Sequence, residues 1–100
     1  MRIAHVVGQV VSTAKHPGLS SFTLLLVREC DAADPDTPDE QARPSVAVDL
    51  VGAGLGELVL VARGSAARVP DPTAQAPTDL AVVGIVDAVS HQGTVTYTKA

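Results

Sequence analysis

The sequence predicts an all-β protein, a small closed barrel of five to six strands with one short helical turn. Three observations predict it. Runs rich in valine, leucine and isoleucine recur along the chain, and residues typical of turns separate them. Only one segment, Gly64-Ser65-Ala66-Ala67-Arg68, reads as helical, and it is about one turn long. The chain has 100 residues, enough for one domain over 1–100 and not for two.

The first strand is expected within 2–13, bounded by Pro17-Gly18. Its even positions, Ala4, Val6, Gly8 and Val10, are small and apolar, so they are expected to face the barrel interior, with Gly8 allowing a bend. A loop over Ala14–Leu19 leads to a second strand at about Phe22–Glu29. Residues 30–45 change character. Asp31, Asp34, Asp36, Asp39 and Glu40 hold five of the eleven acids, beside Pro35, Pro38 and Pro44. Such a segment can bury little and reads as a mobile surface loop. Its carboxylates lack the glycine and terminal glutamate of an EF-hand, so no metal site is expected there.

The third strand is expected at Ser45–Val51 and the fourth at Glu57–Arg63. Between them Gly52-Ala53-Gly54-Leu55-Gly56 puts glycine at every second position. Glycine takes positive φ and allows close backbone approach. The loop is therefore a turn, a ligand cradle or a place where several chains meet. In the helical turn Ser65 is the expected N-cap and Pro70 the stop. Val69–Thr78 is a loop, Leu80–Val89 a fifth strand, and a Gln92-Gly93 turn leads to a final strand at Thr94–Lys99.

Strands with one wet face should alternate apolar and polar. Leu24–Val27, Leu58–Ala62 and Leu80–Val86 are instead apolar on both faces, and no long helix is expected to cover the second face. At about 25 cal/mol per Å² of apolar surface removed from water, leaving these faces wet forgoes a large stabilisation. Charged residues are only 18% of the chain, against roughly 25% in typical globular domains. Both observations predict a homo-oligomer whose copies cover one another.

The candidate chemistry is thin. A dinucleotide fingerprint needs a third glycine opening a helix. Here Glu57 stands at that position and Leu-Val-Leu-Val follows, a strand with no helix N-terminus to face a phosphate. No Gly-Lys-Ser/Thr is present. The turn reading is preferred for the loop, with several converging chains next. His5, His16 and His91 share no ligand spacing. Ser12, Ser65 and Ser90 lie in no nucleophile elbow. Asp49 and Glu57 bracket the glycine loop and could do acid–base work, but Asp49 is expected to bond backbone or Arg63 or Arg68, and Glu57 to face solvent or a pore. Neither catalysis nor a cofactor is expected.

A small OB-like barrel could also bind a small ligand or an oligonucleotide. Such sites stack bases on aromatics over a basic groove. The chain has only Phe22 and Tyr97, a net charge of −4 and seven scattered basic residues, so nucleic acid is not expected as a partner. Cys30 is the single cysteine, which suits a reducing compartment. No signal-peptide core and no apolar run near the roughly 20 residues of a span is present, so no membrane association is expected.

Several motifs taken together are similar to one family. They are Arg2-Ile3-Ala4, Gly8, Val11-Ser12-Thr13, Lys15-His16-Pro17-Gly18-Leu19, Leu24-Leu25-Leu26-Val27, Val46-Ala47-Val48-Asp49, Gly52-Ala53-Gly54-Leu55-Gly56-Glu57, Val59-Leu60-Val61, Gly64-Ser65-Ala66-Ala67-Arg68 and Asp79–Asp87. They resemble the vertex proteins of bacterial microcompartment shells, the EutN/CcmL family of ethanolamine-utilisation and carboxysome pentamer proteins. The likeness runs nearly end to end and misses mainly the acidic loop at 30–45. One departure is Leu58, where these proteins often carry tryptophan.

The resemblance implies a homopentamer that occupies the vertices of a polyhedral shell in the bacterial cytoplasm, beside hexameric shell proteins. Its role would be structural, without catalysis. A five-fold ring is a closed heterologous assembly in which each subunit offers two different patches. Backbones crowd near the axis of such a ring, where alternate glycines would be tolerated. Gly52, Ala53, Gly54, Leu55, Gly56 and Glu57 are thus expected near the axis, bordering a narrow pore. His5, Val7, Ser65 and Arg68 are expected at the subunit contact.

Overall fold

The computed structural model describes residues 1–37 and 39–100. Pro38, one of the prolines of the acidic loop, lies outside the described residues. Five strands close a barrel: β1 (Arg2–Val10), β2 (Leu24–Glu29), β3 (Ser45–Asp49), β4 (Leu58–Arg63) and β5 (Leu80–Ile85). Round the barrel they run β1-β2-β3-β5-β4. The β3–β5 pair is parallel and the other four are antiparallel. Two further strands, β6 (Ala88–His91) and β7 (Thr94–Thr98), make a separate hairpin. Short 3₁₀ turns occupy Pro17–Leu19, Gly64–Arg68 and Asp71–Thr73.

Side chains two residues apart fill the interior, as the pleat of a strand requires. β1 supplies Ala4 and Val6, β2 Leu25 and Val27, β3 Ala47, β4 Val59 and Val61, and β5 Leu80 and Val82, all buried in one cluster. Each buried valine or leucine contributes about 1.5–3 kcal/mol relative to an exposed one. A charge at Val61 would therefore break this core.

The even-face expectation for β1 holds only as far as Val6. A register shift lies between Val6 and Gly8, and a one-residue slip sends later side chains to the opposite face. Gly8 then pairs with Leu26 on the outside, where a Cβ would sit 3.5 Å from that side chain. Val10 joins the outer layer.

Part of the second face is covered by the chain itself, which corrects the expectation that only other copies could do so. Leu24, Val48 and Ala81 are buried with Ala67 of the Gly64–Arg68 turn, and Leu19, Phe22 and Leu50 pack against them. Leu58, the expected departure from the resembling family, is fully buried. Ile3, Leu26, Leu60 and Ile85 stay only half-buried.

Three further expectations change. Ser65 does not cap the helical turn: the turn starts at Gly64, Arg63 precedes it in extended conformation, and no side chain caps it. Gly64, at φ +61°, turns the chain out of β4 while its amide donates to the Asp79 carbonyl at 2.7 Å. The fifth strand stops at Ile85 rather than Val89. Val86 still donates to Leu58 O at 2.9 Å, after which the chain leaves the barrel for β6. The acidic loop buries more than expected, because Pro35 is fully buried and its carbonyl contacts His5 Nε2.

Candidate functional site: the glycine loop

Asp49 ends β3 and its carboxylate turns into the loop that follows. Oδ1 accepts from the amides of Val51 (3.0 Å) and Gly52 (3.1 Å), and Oδ2 from that of Ala53 (3.1 Å). From the other side Glu57 Oε1 accepts from the Gly54 amide at 2.6 Å. Two carboxylates thus hold the successive amides of residues 51–54. Such a row of N–H groups is what a phosphate cradle would need, and here the loop's own acids occupy it. The ligand-cradle reading loses its physical basis. Asp49 bonds backbone, as expected, and not arginine: Arg63 pairs with Glu29 and Arg68 donates to the Thr78 carbonyl at 2.9 Å.

The turn reading is met at two glycines. Gly52 has φ +77° and Gly56 φ +85°, where a Cβ costs roughly 1–2 kcal/mol. Gly54 has ordinary φ, but a Cβ there would lie 3.3 Å from Glu57 Oε1. The loop is also stitched to β1, since Gly56 N donates to Val6 O (2.9 Å) and Val6 N to Glu57 O (3.0 Å). Ala53 packs against the interior cluster. Leu55 at the tip is 77% exposed. The loop is therefore rigid at its base and presents an apolar tip.

One partner of this site carries no local signal in the sequence. Lys99 Nζ donates to Glu57 Oε2 at 2.7 Å, joining the end of the chain to the loop. That hydrogen bond, with the one from Gly54 N, holds the Glu57 carboxyl below its usual value, and the same bond raises the Lys99 ammonium. Glu57 is ion-paired rather than simply facing solvent.

The four expected contact residues fall into two pairs. His5 and Val7 lie on β1 beside β2 and β4, with His5 half-buried against Pro35 and Val7 exposed. Ser65 and Arg68 are exposed on the turn that packs over β4 and β5. Elsewhere, burial first and then Asp31 and Asp36 push the Cys30 thiol up to about 11, so it stays protonated at neutral pH. Among the described residues no group of three or more His, Cys, Asp or Glu side chains gathers to hold a metal.

Residues 1–87 match the family described as ethanolamine utilisation protein EutN/carboxysome. The chain belongs to this family. It is 44% identical over 99 residues to the bacterial microcompartment shell vertex protein EutN of Salmonella typhimurium, a match covering 99% of this chain and 96% of that one. The solved structure of a carboxysome subunit, CcmL, superposes with a TM-score of 0.89 at 48% identity, covering all of both chains. GrpN, a pentameric microcompartment shell protein from Rhodospirillum rubrum, superposes with a TM-score of 0.77 at 43% identity, covering 91% of this chain and 98% of that one. EutN/CcmL relatives are named as shell vertex proteins, not as enzymes. In this member the glycine loop is held by its own Asp49 and Glu57 carboxylates.

Proposed function

We propose that five copies of this chain, each acting as one vertex domain, form a ring that caps the vertices of a polyhedral microcompartment shell. The observation that carries the reading is the likeness over 90–99% of the chain to shell vertex proteins at 41–50% identity, together with that to a shell protein named pentameric at 43%. The role is structural and non-catalytic. The setting is the shell within the bacterial cytoplasm, with hexameric shell proteins as flat neighbours and neither nucleic acid nor membrane as a partner. The small-ligand or oligonucleotide barrel is the weaker reading, because buried side chains fill the interior and the loop amides are already occupied.

Within the ring, Gly52–Glu57 faces the axis and Leu55 approaches the pore. The support is the loop's rigid base, its exposed apolar tip and its small residues. His5 and Val7 on one side, with Ser65 and Arg68 on the other, supply the two unlike patches that a heterologous ring needs. Native mass spectrometry tests the assembly, where a pentamer has five times the 10.2 kDa chain mass. A monomer would defeat the vertex reading, and a hexamer would defeat the five-fold one. Gly54→Leu is expected to lower the pentamer fraction while leaving the monomer's circular dichroism unchanged. An unchanged pentamer would remove the loop from the axis.

A further inference from the structure

The two ends of the barrel are finished in different ways. At one, the glycine loop joins the end of β3 to the start of β4. At the other, β2 ends on Glu29 and β4 on Arg63, while β3 begins at Ser45 and β5 at Leu80. These four residues line a cavity of about 220 Å³. Its floor is apolar, made by Leu80 with Val27 and Val61 of the interior cluster. Arg43 closes it from the segment that leads into β3.

The charge at this end is unlike that of the whole chain, which is −4 with only seven basic residues. Three of the seven, Arg2, Arg43 and Arg63, gather here against two carboxylates, Glu29 and, in an adjoining hollow, Asp79. Glu29 Oε2 accepts from Arg2 Nη1 at 3.2 Å, and Oε1 accepts from Arg63 Nη2. A guanidinium has five N–H donors, and each of these two uses one nitrogen on Glu29. Among the described residues Arg43 enters no ion pair. The carboxylates of the acidic segment do not line the cavity. The rim is therefore rich in unspent donors and positive.

Arginine's planar fork matches a carboxylate, and charge-assisted hydrogen bonds are roughly twice as strong as neutral ones. A cavity smaller than the roughly 300–1,000 Å³ of drug-sized pockets admits only a small molecule. We propose that this barrel end binds a small carboxylate carrying a short apolar chain. The ligand's oxygens accept from Arg43 and Arg63, and its chain lies toward Val27, Val61 and Leu80. Occupancy ties the acidic segment, through Arg43, to the end of β4. The site lies outside the filled interior and is independent of the vertex role, so its failure leaves that reading untouched.

Titration of the full wild-type chain with butyrate at constant ionic strength, followed by amide chemical shifts, tests this. Shifts at Arg43, Ser45, Arg63 and Leu80 are expected to saturate with a Kd of about 1–10 mM, the range open to so small a ligand. Arg43 and Arg63 are both exposed, so glutamine there spares the fold. Arg43→Gln and Arg63→Gln should each weaken binding about threefold to tenfold. Lys15→Gln, beyond the other end of β1, should leave it unchanged. Butyramide, the uncharged counterpart, should not saturate, and inorganic phosphate should bind more weakly than butyrate.

Shifts that only rise linearly with butyrate overturn the site. Butyramide binding as well as butyrate overturns recognition of the carboxylate, and phosphate binding as tightly overturns the apolar chain. Unchanged binding in both arginine variants, or an equal loss in Lys15→Gln, removes the ligand from this end.

Discussion

The glycine loop and the acidic segment after β2 are both irregular, both rich in carboxylates, and held in opposite ways. In the glycine loop two acids grip four successive amides, and the shape is written within nine residues, Asp49 to Glu57. In the acidic segment each acid does little: Asp31 accepts from Ala33 N and Asp39 from Gln41 N, both local bonds in exposed turns. What holds that segment is distant, with Pro35 buried against the body, its carbonyl on His5, and the Ala32 carbonyl bonded by Thr96. A loop organised by its own side chains keeps its shape wherever it is placed. A loop organised by burial depends on the rest of the barrel.

Substitutions at three positions sharpen or break that contrast, beginning with the largest effect. Asp49→Ala leaves three loop amides without acceptors and is expected to lower stability by about 2–4 kcal/mol in urea unfolding, with Asp49→Asn losing less. Unfolding at the wild-type midpoint would mean the loop does not depend on its carboxylates. Pro35→Ala comes next, at about 1 kcal/mol, through lost apolar burial and a looser unfolded chain. Asp39→Ala should shift the midpoint by less than about 0.5 kcal/mol, since its one bond is exposed. If Asp39→Ala cost more than Pro35→Ala, the acidic segment too would be organised by its carboxylates.

The smallest effect concerns the link from the loop to the chain's end. Lys99's hydrogen bond, then Gly54's, depress Glu57 below its usual 4.5, so its contribution is present above that value and lost as pH falls through the lowered one. Lys99 is raised above 10.5 chiefly by Glu57, so its contribution is present below that value and lost as pH rises through the raised one. Lys99→Met should therefore melt slightly below wild type on the plateau between these values. The difference should close in stronger acid. A constant difference at every pH would mean that lysine acts through packing and not through the pair.

The same division between local and distant causes separates what was legible in the chain from what was not. The all-β class, the barrel, the Gly52 and Gly56 turns and the Gln92-Gly93 hairpin follow from side-chain alternation and turn chemistry, which act over a few residues. The family likeness was legible too, because its motifs are contiguous. The Val6–Gly8 register shift was not, since it is set by pairing with β2 and reverses which face Gly8 and Val10 occupy. Nor was the strand order with its parallel β3–β5 pair, nor the cover that Ala67, Leu19 and Phe22 lay over Leu24 and Ala81.

By itself, then, the sequence determined most of the elements, most of the interior alternation, the glycine turns between β3 and β4 and the family. Only the tertiary structure decided that Pro35 is buried, that Lys99 reaches Glu57, that part of the second apolar face is covered at home, and that β6 and β7 form a sheet separate from the barrel. These depend on contacts between residues far apart in the chain. No local pattern encodes such a contact, because its energy comes from whichever surfaces barrel closure brings together.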